Sequence, residues 1–227
     1  MLYSDFENII SSPRMNRYLH ACNGSSRKAM TLYRKNLKLS QELFTIISCF
    51  EIALRNAIDV HYLDQFGNDW LRNAASKKGI FDNARCKMSF MTINDELRKL
   101  KHHYTHSKLV ASLGFGFWRY LFSTHQYRAG GQTLLAIFSS RPKSTPTLQY
   151  NASYIFSELQ KINELRNRIA HHEPICFRNG QAVIDTTSVR QHYTLILQLF
   201  QWMSIDESAL LYGLDHILTV CNEIDRL

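Results

Sequence analysis

Residues 148–174 read LQYNASYIFSELQKINELRNRIAHHEP. The apolar residues Ile155, Leu159, Ile162, Leu165 and Ile169 follow one another at spacings of 4, 3, 3 and 4. That is the stripe of a helix burying one face. The spacing predicts a helix from about Leu148 to His171 or His172, and Pro174 ends it by disfavouring helical geometry at Glu173. The other face carries chemistry. Arg166 falls about 40° from the centre of the stripe at Ile162, His171 about 140° further round, and Asn167 between them. Asn163 and Ala170 share that sector. His171 and His172 stand at the helix C-terminus, where the partial negative charge favours imidazolium.

An arginine and a histidine on one polar face suit phosphodiester cleavage. Histidine titrates near neutrality, so it can take the 2′-OH proton or give one to the leaving 5′-oxygen. Arginine presents permanently charged donors to phosphate oxygens as charge builds on them. The products would be a 2′,3′-cyclic phosphate and a 5′-hydroxyl, with no metal or other cofactor required. A single helix holds the two side chains apart, so the face makes more sense doubled across a two-fold axis, in a homodimer. The spacing alone is not specific. Arg55 and His61 form a second loose match, and there Glu51, four residues before Arg55, offers a helical ion pair as the simpler reason for the arginine.

Outward from this segment the chain reads as all-α. Only 9 Gly and 4 Pro occur in 227 residues, so turns are few and elements long. Helices are expected over Phe6–Cys22, from a cap at Ser25 or Ser26 to about Lys38, and over Gln41–Phe66 with Ser40 as N-cap and Leu39 and Phe44 as a hydrophobic staple. Shorter helical patterns cover Trp70–Ala75, Asn83–Lys101 and Ser107–Phe122. In the last, Gly114-Phe115-Gly116-Phe117-Trp118 suggests a kink. Arg141–Pro146, with two prolines, is a linker between a helical part at 1–140 and the motif-bearing part at 147–227 of one domain spanning 1–227. Asn179-Gly180 reads as a type I′ turn in a small β-hairpin after the motif helix. Helices near Val189–Met203 and Asp215–Ile224 close the chain.

The formal net charge is +8, which favours an anionic partner or gives a merely solvated basic surface. Arg27, Lys28, Arg34, Lys35 and Lys38 concentrate near the N-terminus, and Arg119 lies beside the aromatic run, making these six the candidate RNA contacts. The aromatics themselves could stack bases or fill the core. Five scattered cysteines lack zinc-like spacing and point to reduced thiols in a cytoplasmic protein. His102, His103 and His106 lack a completing ligand and are surrounded by lysines, so no metal site is assigned. The longest apolar stretch, Leu43–Phe50, is too short to span a bilayer.

Four segments then carry a resemblance: LYRKNLKLS at 32–40, FEIALRNAID at 50–59, LGFGFW at 113–118 and LRNRIAHHEPI at 165–175. In this order they resemble the successive motifs of the Abi family, the abortive-infection D/F group of bacterial phage-defence proteins, over about residues 30 to 200. That family is similar to HEPN ribonucleases, helical bundles whose arginine and histidine, with four to six residues between them, cleave RNA without metal, usually in a dimer. The resemblance implies a HEPN-like bundle with extra helices, Arg166, His171 and Asn167 as catalytic residues, and His172 and Glu173 in support. It also implies that some relatives work with a small structured RNA. The alternative reading is therefore a non-catalytic RNA-binding protein that forms a ribonucleoprotein for phage sensing.

Overall fold

A computed structural model describes residues 1–227. It is all-α. Twelve helices follow in chain order: α1 Tyr3–Ile10, α2 Ser12–Ala21, α3 Ser26–Phe66, α4 Trp70–Ala74, α5 Lys87–Leu100, α6 His106–Ser112, α7 Phe115–Tyr120, α8 Thr124–Ala129, α9 Ala152–Ala170, α10 Thr187–Trp202, α11 Glu207–Leu210 and α12 Ile217–Asp225. No helix is long and apolar enough to cross a membrane.

Several expected boundaries move. The first expected helix is two helices, because Pro13 sits in the first turn of α2 and Ser11 takes a positive φ of 88° between them. The two helices expected on either side of Ser40 are one, the 41-residue α3. No glycine or proline interrupts residues 26–66, and the stripe Leu32, Leu39, Leu43, Ile46, Phe50, Leu54, Ile58 and Tyr62 is buried without a break. Ser40 therefore caps nothing, and Phe44 is exposed instead of stapling to Leu39. Ser25 does take the N-cap position, its Oγ accepting the Lys28 N–H at 3.5 Å. Around Gly114 the expected kink is a full break between α6 and α7.

The helices gather into two compact units. The first comprises residues 1–48, 164–198 and 207–227. Its aromatic centre is edge-on: Tyr18 meets Tyr33 at 5.2 Å and Phe177 at 5.0 Å between ring centroids, and Phe6 meets Tyr33 at 5.5 Å. Met15, Leu32, Leu165, Ile175, Val189 and Val220 complete this core. The second comprises residues 49–163 and 199–206. In it Phe50 packs edge-on against Phe200 at 5.2 Å, and Tyr62 lies 4.7 Å from Trp70. The Asp59 carboxylate accepts a hydrogen bond from Trp70 Nε1 and pairs with His106 Nε2, both at 2.7 Å. Residues 141–150 are non-helical, as the prolines require.

After α9 the hairpin is reduced to one antiparallel bridge, Phe177 to Ile184. Its turn is closed by the Gln181 N–H to the Arg178 carbonyl at 3.0 Å. Gly180 has φ 71° and Asn179 does not share that sign. A type I′ turn needs positive φ at both central residues, so this is a type II arrangement with glycine at its required place.

Candidate functional site

The last turn of α9, in the first unit, is closed by three backbone hydrogen bonds, each 2.9 Å long: His171 N–H to Asn167, His172 N–H to Ile169 and Glu173 N–H to Arg168. The second and third form a Schellman closure, which places His172 in the left-handed region at φ 56°. Glycine usually stands there, so a histidine carries local strain of about 1–2 kcal/mol. The turn reverses the chain two residues before Pro174 and leaves His171, His172 and Glu173 exposed.

Arg166 is half-buried, and its Nε is enclosed without a hydrogen-bond partner. Arg168, two residues on, behaves differently. It donates from Nε to Glu173 Oε2 at 3.2 Å and from Nη2 to the Pro174 carbonyl at 3.0 Å. One arginine thus locks the chain leaving the helix, and the other keeps its charge uncommitted. Glu173, expected in support of the site, is the carboxylate that Arg168 holds. Asn167 and His171 are exposed beside Arg166. His171 still closes a helical hydrogen bond, so helix geometry separates it from Arg166 by about 140° and about 7.5 Å of rise.

Two positioning residues escaped the sequence reading, Arg168 and Asn36. The Asn36 side chain is 3% exposed, and its Oδ1 accepts the N–H groups of Ile175 at 2.9 Å and Cys176 at 3.2 Å. It therefore fixes the segment that leaves the His171 turn. The signal was present: Asn36 occupies an apolar-stripe position of α3 between Leu32 and Leu39. Beside it, burial pushes the Cys176 thiol up to about 12, so that group serves the core.

The six candidate RNA contacts are dispersed in what they touch. Lys28 donates to the Leu227 carbonyl at 2.6 Å, and Lys35 pairs with Glu223 at 2.8 Å, holding that carboxyl below its usual range. Arg34 lies 5.1 Å over the Phe6 ring, and Arg27 and Lys38 are exposed. In the second unit Arg119 stacks 4.5 Å over Phe156 and donates to Gln160 at 3.3 Å. In the aromatic run, Phe115 and Trp118 are core residues, and Trp118 Nε1 donates to the Leu113 carbonyl at 2.9 Å. At the second loose motif the Glu51–Arg55 ion pair does not form. Arg55 Nε is enclosed without a partner, and His61 Nε2 meets the Thr133 hydroxyl at 2.9 Å. The three clustered histidines part company: His102 and His103 are exposed, and His106 turns to Asp59.

No curated relative and no solved structure matches the chain. A family model described as Abi-like protein matches residues 2–176. The match runs through the α3 segment that carries Asn36, then the α7 aromatics, and ends at Cys176, the second backbone N–H that Asn36 holds. On a match over more than half its length, the chain belongs to the Abi-like protein family.

Proposed function

We propose that the protein is an abortive-infection phage-defence factor acting as a metal-independent endoribonuclease of HEPN type. The observation that carries this reading is the Arg166 guanidinium: a half-buried cation whose Nε has no partner, on the helix whose last turn exposes His171. Nothing inside the protein takes this charge, so the part of the guanidinium that reaches the surface is available to a phosphate oxygen. In this reading Arg166 binds the scissile phosphate and stabilises the charge that builds on it. His171 moves the proton, taking it from the 2′-OH or delivering it to the 5′-oxygen, and Asn167 hydrogen-bonds the substrate between them. A homodimer pools two such faces and supplies the convergence that one helix lacks.

The test is end chemistry. Purified protein incubated with single-stranded RNA in EDTA should yield 2′,3′-cyclic phosphate and 5′-hydroxyl ends. Products with 5′-phosphates, or cleavage only with a divalent ion, would refute the mechanism. The wide angle between Arg166 and His171 favours a second reading, an RNA-binding protein without cleavage. In that case Arg166→Ala/His171→Ala lowers RNA affinity in low salt, where phosphate contacts are strongest, and no product ends appear with either protein.

A further inference from the structure

The first unit holds a cavity of about 210 Å³ beside the last turn of α9. Its floor is apolar: Leu165, Ile175, Phe177 and Val189 are each at most 4% exposed. Its rim is polar, with Arg168, Arg178, Asp185 and Ser188. Around the α9 axis His171 comes between Arg166 and Arg168, about 60° from the latter. A nucleotide held at His171 therefore has this cavity on the Arg168 flank of that residue.

We infer that the cavity is a base-recognition pocket that takes guanine from the RNA beside the scissile phosphate. This assignment rests on the RNA-cleaving reading above and names the specificity of the same site. The volume suits one heterocycle, with ribose and phosphate remaining outside. An apolar floor of this kind accepts the face of a base. The rim selects which base. Asp185 Oδ1 accepts the Thr187 N–H at 2.9 Å and Oδ2 accepts Arg178 Nε at 3.2 Å, and the Thr187 side chain also hydrogen-bonds this carboxylate, so the donors of a base compete with that hydroxyl for the remaining acceptor directions. Those same hydrogen bonds, from Thr187 first and then Arg178, hold the carboxyl below its ordinary range, so it is ionised at neutral pH.

An ionised carboxylate matches guanine, which offers two adjacent donors, N1–H and N2–H, to its two oxygens. Cytosine offers one donor beside an acceptor nitrogen, and adenine sets its N1 acceptor against the carboxylate. Uracil presents one N–H flanked by two carbonyls. Guanine also carries O6 and N7 acceptors for the terminal guanidinium nitrogens of Arg178. The scaffold is held from outside the cavity as well: Arg17 donates to the Gln181 carbonyl at 2.8 Å and lies 4.7 Å over the Phe177 ring.

The experiment has two arms on the 227-residue chain. In the first, the four 5′-ribonucleoside monophosphates are titrated by ligand-detected NMR. Guanosine monophosphate should bind at least about ten-fold more tightly than the others, the range one bidentate contact supplies. Asp185→Asn and the cavity-filling Ser188→Phe should remove that preference. In the second, cut sites are mapped on an RNA of mixed sequence. Cuts should cluster next to guanosine and lose that bias in both variants. Cleavage indifferent to the neighbouring base, or equal binding of all four nucleotides, would overturn the pocket and leave the ribonuclease reading standing. Guanosine-selective binding lost in Asp185→Asn, in a protein that cuts no RNA, would support the pocket and defeat the ribonuclease reading.

Discussion

Replacing Asn36 with alanine removes the acceptor that two buried backbone donors share. The Ile175 and Cys176 N–H groups reach Oδ1 at 2.9 and 3.2 Å, and Asn36 is 3% exposed, so bulk water does not replace the lost oxygen. Each buried N–H left unpaired costs about 1–3 kcal/mol. Two of them sum to about 2–6 kcal/mol, and a drop of about 3 kcal/mol in unfolding free energy is the central expectation. In a chain of this size each kcal/mol moves the thermal midpoint by about 2–4 °C, so the midpoint should fall by about 6–12 °C. Urea unfolding followed by tryptophan fluorescence measures the free energy, and calorimetry measures the midpoint. The comparison protein is His171→Ala, whose side chain is exposed and should cost less than about 0.5 kcal/mol. If Asn36→Ala were as stable as His171→Ala, the Asn36 bonds would not be what holds the segment after the motif.

Two further outcomes follow from the same turn and its neighbour. His172→Gly should raise stability by about 1 kcal/mol, because glycine adopts the positive φ of that position without the Cβ penalty; a fall in thermal midpoint would show that the histidine side chain holds the turn. Asp185 has a lowered folded-state pKa, so its contribution is present above the unfolded value and is lost as pH falls through the folded one. Asp185→Asn should therefore flatten the acid limb of the stability–pH curve and leave its alkaline limb unchanged, and an unaltered acid limb would mean the Thr187 and Arg178 bonds contribute nothing.

The motif helix was legible because its stripe is strict and Pro174 marks the end. The structure places α9 at Ala152–Ala170, against an expected start near Leu148. What misled elsewhere was a reading of single residues against their context. Ser40 is a common cap, but an unbroken apolar period outweighs one residue's preference, and α3 runs through it. Pro13 carried the opposite lesson, ending a periodicity that continued on both sides. At the candidate site Arg166 and His171 stood out by type and spacing. Arg168 and Asn36 did not, because their roles are hydrogen bonds to backbone groups that only the folded turn brings within reach. The basic residues of the N-terminal stretch showed the limit of charge counting. Lys28, Arg34 and Lys35 have partners inside the protein, which composition does not reveal.

The most direct measurement is the single-turnover rate of RNA cleavage in EDTA by the unaltered protein, His171→Ala and Arg166→Ala, each first shown to keep its fold and oligomeric state. General acid–base catalysis contributes about 10²–10⁴-fold, so His171→Ala should lose at least about 100-fold. Arg166→Ala should lose a comparable factor through the unsupported phosphate charge. Rates within about ten-fold of the unaltered protein for both variants would contradict the assignment of cleavage to Arg166 and His171.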